Sequence, residues 1–167
     1  AVMLRKPSDL GYEDGGFELP ALIMQEHIIE ASEPMEGYLL PMPAATLDER
    51  RKARKASINE RVELAAKLIK KNKEQWVLWC NLNDESKMIA DVTDAVEICG
   101  STTMEDRDAI CHDFLSGKIR CVVTKPSIWG FGLNLQCCCN TALVGISDSY
   151  EEFYQLIRRF WRFGQKK

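Results

Sequence analysis

Trp76-Val77-Leu78-Trp79-Cys80, followed at once by Asn81-Leu82-Asn83-Asp84, is the stretch from which the fold can be read. Five apolar residues ahead of a polar turn have the length and bulk of a strand buried on both faces, and Asn83 suits the cap of a following helix. The alternation continues downstream. Asp84 to about Val92 predicts a helix, and Val96 to Cys99 a strand ended by Gly100. Thr103 to Leu115 predicts a helix with Ile110, Phe114 and Leu115 inward and Gly117 closing it. Ile119 to Thr124 is a Val-rich strand, and Thr141 to Ile146 another. Short apolar strands alternating with helices predict an α/β fold, a parallel sheet with helices on both faces.

Upstream, Leu47 to about Asn72 predicts one helix, capped by Thr46 or Asp48, with Ile58, Val62, Ala65, Ala66 and Ile69 as its apolar stripe. Its early part carries Arg50, Arg51, Lys52, Arg54 and Lys55. Such a run reads first as a solvated helix face, with a nucleic-acid contact as the alternative. Asp48-Glu49 resembles a metal-holding acidic pair, but no apolar strand precedes it, so it reads as the negative first turn of the helix. Residues 1–47, broken by Gly11, Gly15, Gly16 and five prolines, form a loop-rich lead-in. A strand from Ala21 to about Ala31 and a shorter one at Tyr38-Leu39-Leu40 would make a β-hairpin there. The expected division is a lead-in, 1–47, and an α/β unit, 48–167.

The chain has 167 residues, 46% hydrophobic and 28% charged, enough for one domain with a core. No apolar run approaches the ~20 residues of a membrane span, and the first residues do not form a signal peptide. Net charge is −3, unevenly spread: two basic and eight acidic residues in 1–47, twenty basic and seventeen acidic in 48–167. The second part is thus mildly basic, a hint of a phosphate-rich partner. The seven cysteines are odd in number and lack Cys-x2-Cys spacing, and several sit in apolar strands. They read as small hydrophobes in a reducing, cytoplasmic setting, with no metal site. His27 and His112 are isolated and carry no assigned chemistry.

Ser149-Tyr150-Glu151-Glu152 has the pattern of a capping box, so a last helix should start there, with Gly164 just past its end. On that helix Gln155, Arg159 and Arg162 fall at i, i+4 and i+7, on one face, while Leu156, Ile157, Phe160 and Phe163 cover the other. Upstream lies Thr124-Lys125-Pro126-Ser127-Ile128-Trp129-Gly130-Phe131-Gly132-Leu133-Asn134-Leu135-Gln136. Its glycines would let backbone N–H groups approach a phosphate, Thr124 and Ser127 add hydroxyls, and Asn134 can bond a sugar or an arginine. Trp129 reads equally as a base-stacking platform and as core. Strands of such sheets gather ligands at their carboxyl ends, where Asn81-Leu82-Asn83 also falls.

Gln155-x3-Arg159-x2-Arg162-x-Gly164-Gln165 resembles motif VI of superfamily 2 helicases in the version of Snf-type DNA translocases, and Gly130-x-Gly132-Leu133-Asn134-Leu135 resembles their motif V. The resemblance covers about residues 75–165, and its compactness is similar to phage or prophage members. It implies the second, C-terminal RecA-like lobe. Arg159 and Arg162 would be catalytic arginine fingers toward ATP; Gln155, Gly132 and Asn134 would bind ATP; Thr124, Ser127 and Gly130 would touch nucleic acid. Where the family has Arg-Ala-Gly-Gly, this chain has Pro126-Ser127-Ile128-Trp129-Gly130. The implied partners are an N-terminal RecA-like lobe of the same protein and double-stranded DNA, with no membrane. ATP and Mg²⁺ would be bound in the full-length protein and neither by this piece alone, since Gly-x4-Gly-Lys-Ser/Thr is missing from it. The chain starts without Met and stops just after motif VI, so it is expected to be part of a longer protein. The alternative is a non-catalytic α/β module that binds a nucleotide or a protein.

Overall fold

The structure is a computed structural model and describes residues 7–15, 18–29, 44–129 and 133–167. Among the described residues four strands form one sheet: β1 (Trp76–Trp79), β2 (Val96–Ile98), β3 (Cys121–Thr124) and β4 (Asn140–Leu143). All pairings are parallel, in the order β2-β3-β1-β4, with Trp76 level with Cys121 on one side and with Asn140 on the other. The helices are α1 (Leu47–Ala56), α2 (Ile58–Ile69), α3 (Asn83–Thr93), α4 (Met104–Leu115), α5 (Pro126–Trp129) and α6 (Tyr150–Phe160).

The predicted parallel sheet with helices on both faces is what forms. The strand period of two sorts the central residues. Val77, Trp79 and Val122 join Phe114 of α4 and Leu156 and Phe160 of α6 on one face; Leu78, Cys80, Cys121 and Val123 join Ile58, Val62 and Ile69 of α2 and Ile89 of α3 on the other. Trp79 meets Phe160 edge-on at 6.3 Å, and its indole N–H donates to the Thr141 hydroxyl at 2.9 Å, which satisfies the one polar atom of a fully buried ring.

Several expectations need correction. The helix predicted over 47–72 breaks at Ser57, whose N–H and hydroxyl both donate to Ala53 O, at 3.1 and 2.9 Å. Such back-bonding bends a helix, and the chain restarts as α2. Residues 21–29 form no strand; Ile23 and Ile28 are exposed, since β-propensity makes no strand without a partner to pair with. Tyr38-Leu39-Leu40 lies outside the described residues. Leu115 does not pack inward but is 46% exposed, beside Gly117 at φ +80°. β4 ends at Leu143, because the N–H groups of Val144 and Gly145 both turn onto Trp79 O, at 2.9 and 3.0 Å.

All seven cysteines are free thiols. Burial pushes Cys80 up to about 11 and Cys138 up to about 12. Cys99 differs: it follows β2, and hydrogen bonds from the Ser101 and then the Thr102 hydroxyl, with sulfur–oxygen distances of 3.1 and 3.6 Å, bring its thiol down to about 7. Iodoacetamide is therefore expected to modify Cys99 first, at a rate rising through a midpoint near pH 7, while Cys80 and Cys138 stay unmodified in the folded chain. Peptide mass spectrometry over a pH series reads this out; equal labelling of Cys80 and Cys99 would contradict it.

Candidate functional site

The carboxyl edge of the sheet is built around one buried carboxylate. Glu85, in the first turn of α3 and 1% exposed, accepts the N–H groups of Asn81 (2.8 Å) and Leu82 (3.3 Å). It thereby closes the turn after β1 from inside the helix, and Leu82, not Asn83, is the capping residue. Asn83 instead offers its side-chain oxygen to Lys125 Nζ at 2.5 Å, which ties the end of β1 to the end of β3. The other Glu85 oxygen pairs with the Arg61 guanidinium, which also donates to Val144 O at 2.5 Å and to Arg54 O. A Cβ on Gly145 would overlap the Glu85 carboxylate, so glycine is what lets the chain after β4 pass this close.

The stretch after β3 behaves differently from its sequence reading. Thr124 is fully buried; its hydroxyl donates to Ile98 O at 3.0 Å and its carbonyl accepts Cys80 N–H at 3.0 Å. The expected nucleic-acid contact by Thr124 is corrected accordingly, since its hydroxyl is committed to holding β2 against β3. Ser127 is exposed on α5. Trp129 is buried edge-on against Phe114 at 5.9 Å and is core, not a stacking platform. Gly130 and Gly132 lie outside the described residues. Asn134 is exposed and donates to the Gln136 side-chain oxygen at 3.2 Å.

At α6, Ser149 Oγ accepts Glu152 N–H at 3.2 Å as the capping pattern requires. The Glu152 carboxylate takes the Ser147 hydroxyl instead of reaching back, so half of the box forms. The helix ends at Phe160, one turn earlier than expected: Trp161 leaves helical geometry at φ −84°, ψ 81°, and its indole N–H donates to Pro20 O at 2.8 Å. Gln155 and Arg159 therefore share the helix, whereas Arg162 sits in the turn beyond it. Phe163, expected inside, is 41% exposed. Gly164 adopts φ +94°, four residues past the helix end.

This tail is fastened to the loop leading into β4. Leu135 N–H donates to Arg159 O at 3.1 Å, Gln165 Nε2 to Cys138 O at 3.0 Å, and the Gln136 amide to Phe163 O. Arg159 is half-buried with Nη1 3.5 Å from Leu133 O. Arg162 is exposed, and its guanidinium has no partner among the described residues. The Cys138 thiol lies 3.2 Å from Gln75 O, just before β1. The arginine tail is thus at the amino edge of the sheet, opposite Asn81 and Lys125. Lys167 pairs with Glu74 at 2.8 Å, and this bond, followed by that of Asn140, lowers the Glu74 carboxyl to about 2.

Residues 60–164 match the family described as helicase conserved C-terminal domain. The chain belongs to that family. Over 97 residues it is 30% identical to the ATP-dependent RNA helicase FAL1 of Kluyveromyces lactis, a match spanning 55% of this chain and 24% of that protein. It superposes on the C-terminal part of the Fun30 ATPase domain with a TM-score of 0.55 at 25% identity, covering 64% of this chain and 38% of the other. T4 UvsW gives a TM-score of 0.53 at 17% identity, over 70% and 25% of the two chains, a likeness of fold. The four-stranded parallel sheet is that of a superfamily 2 helicase C-terminal lobe. This helicase lobe spans about a quarter of the length of the curated relative that it matches.

Arg61, Glu85 and Gly145 escape a motif search. Their signal is faint: an arginine beside the apolar stripe of α2, and an acid in the first turn of α3. Removing one partner of a buried pair strands the other, so Glu85→Ala is expected to lower the unfolding free energy by about 3–5 kcal/mol. Urea denaturation measures it; a loss under about 1 kcal/mol would show that the pair is not needed to hold the edge.

Proposed function

We propose that this lobe is the second half of an ATP-driven, Snf-type DNA translocase of the phage kind, in which Arg159 and Arg162 act on ATP held by an N-terminal RecA-like lobe. The observation that carries the reading is the exposed Arg162 guanidinium, unpartnered among the described residues and held near Arg159 by a tail fastened at Leu135, Gln136 and Cys138. A planar cation anchored by its backbone and free at its tip suits charge developing on a γ-phosphate. Gln155, one turn before Arg159, and Asn134, in the loop bonded to the tail, would contact the nucleotide, together with Gly132. Mg²⁺ would be held by the first lobe, and neither group by this chain alone. In this reading residues 48–167 are the RecA-like unit and 1–47 its lead-in, with Ser127 and Gly130 on the nucleic acid.

The 25% identity to the Fun30 ATPase domain supports an ATPase, and the motif VI wording supports the Snf type. The identity to a protein named as an RNA helicase favours RNA as the second reading. Both readings place the arginines alike.

The purified chain is expected to release no phosphate from ATP, and addition of the first lobe to create turnover stimulated by nucleic acid. In that two-lobe protein Arg159→Ala or Arg162→Ala should cost about 10³–10⁵ in rate, with lysine a poor substitute. Steady-state phosphate release checks both. Normal turnover in a folded arginine variant would remove the site assignment. Stimulation by duplex DNA against RNA decides between the two readings.

A further inference from the structure

Helix α1 is outside the matched family region and has no buried residue, yet its place is fixed. A ten-residue helix without an apolar face gains little from packing and would be marginal alone. Polar ties hold it. Thr46 and Glu49 form a full capping box; Arg54 Nη2 meets Asp148 at 2.7 Å, with Arg50 3.8 Å from the same carboxylate; and Arg61 donates to Arg54 O. Asp148 follows β4, so α1 is moored to the carboxyl edge of the sheet.

The mooring uses the 50/54 stripe. One residue further round, Arg51 and Lys55 form a second i, i+4 pair, with Lys52 beside them. All three are exposed and have no hydrogen bond or ion pair among the described residues. Like charges at this spacing destabilise a helix, so the stripe opposes the stability of the element that bears it. An anionic partner would relieve that repulsion. Arg51 also lines a cleft of about 440 Å³ that runs from Leu47 to Asn81 and Leu82 at the end of β1. The cleft lining is balanced, with Arg51 and Arg54 beside Asp48 and Asp148; Lys52 and Lys55 lie outside it and supply the excess positive charge of α1. Beyond Asn81 the edge continues to Asn83 and Lys125 at the end of β3. Arg51 in the cleft and Lys125 at the end of β3 thus lie on the same edge of the sheet, where neighbouring strand ends are about 4.8 Å apart.

We propose that Arg51, Lys52 and Lys55 of α1 bind the phosphodiester backbone of a nucleic acid and extend the carboxyl-edge surface of this lobe toward β4. The proposal deepens the translocase reading and rests on it for the class of partner. The contact is with phosphates, so it is independent of base sequence and sensitive to salt.

The test measures anisotropy of labelled mixed-sequence oligonucleotides (single-stranded DNA, duplex DNA and RNA) on the 167-residue chain, from about 50 to about 200 mM salt. The native chain is compared with Arg51→Gln/Lys52→Gln/Lys55→Gln, which keeps helix propensity, and with Lys70→Gln/Lys71→Gln/Lys73→Gln, which removes as many exposed cations near the amino edge. Circular dichroism verifies the fold of each. The α1 variant should lose at least about tenfold in affinity at the lowest salt, and its slope of log K against log salt should fall by about 2–3, on duplex or on single strands; the amino-edge variant should keep the native slope. Equal losses in both variants, an unchanged α1 variant, or a native chain without salt-dependent binding would overturn the proposal. If α1 proves silent while Arg159→Ala still abolishes turnover in the two-lobe protein, the track fails and the translocase reading stands.

Discussion

The carboxyl edge of this lobe depends on the Arg61–Glu85 pair. Both charges are taken largely out of water, Glu85 almost entirely, and such desolvation costs several kcal/mol per ion. It is offset only if the remaining hydrogen-bonding capacity is filled. Here it is: one carboxylate oxygen takes two backbone N–H groups after β1, the other takes the guanidinium, and the guanidinium reaches two further carbonyls, on α1 and after β4. One ion pair thus fixes where four segments meet. An apolar pair of the same size could fill the volume but could not direct three chain ends to particular positions.

The strands and most of the helices could be read from the sequence because the sheet is buried on both sides. Trp76 to Trp79 and Cys121 to Thr124 are nearly continuous apolar runs, and the stripe Ile58, Val62, Ala65, Ala66 and Ile69 is all buried. The failures have local causes. Ser57 could equally have sat mid-helix, and only its bond to Ala53 breaks the chain there. Thr124 carries a hydroxyl that either a ligand or a neighbouring strand can take, and the strand takes it. The one-turn error at the end of α6 has a long-range source: Trp161 leaves the helix to reach Pro20, a contact 141 residues away. Periodicity within a window sees none of these.

The chemistry-bearing side chains divide between the two ends of a short, stiff sheet. The arginine tail lies by Gln75 and Cys138, and the Asn81–Lys125 edge lies four residues of strand away. In the proposed reading, nucleotide and nucleic acid would be met at opposite ends of the same four strands. The loop from Leu133 to Cys138 is hydrogen-bonded to the arginine tail along its length, at Leu133, Leu135, Gln136 and Cys138.

The strand order also governs the order of events during synthesis. β1 is central, yet its partners are β3 and β4, which begin at Cys121 and Asn140; β2 is not its neighbour. Among the described strands only β2 and β3 are both consecutive in sequence and paired, so each ladder of β1 must close a long loop before it gains a hydrogen bond. On a ribosome the apolar Trp76–Trp79 segment waits on the order of seconds for its first partner. During that interval its backbone and its two tryptophans are uncovered, which makes this segment the natural client of a chaperone and the place where a stalled chain would begin to aggregate.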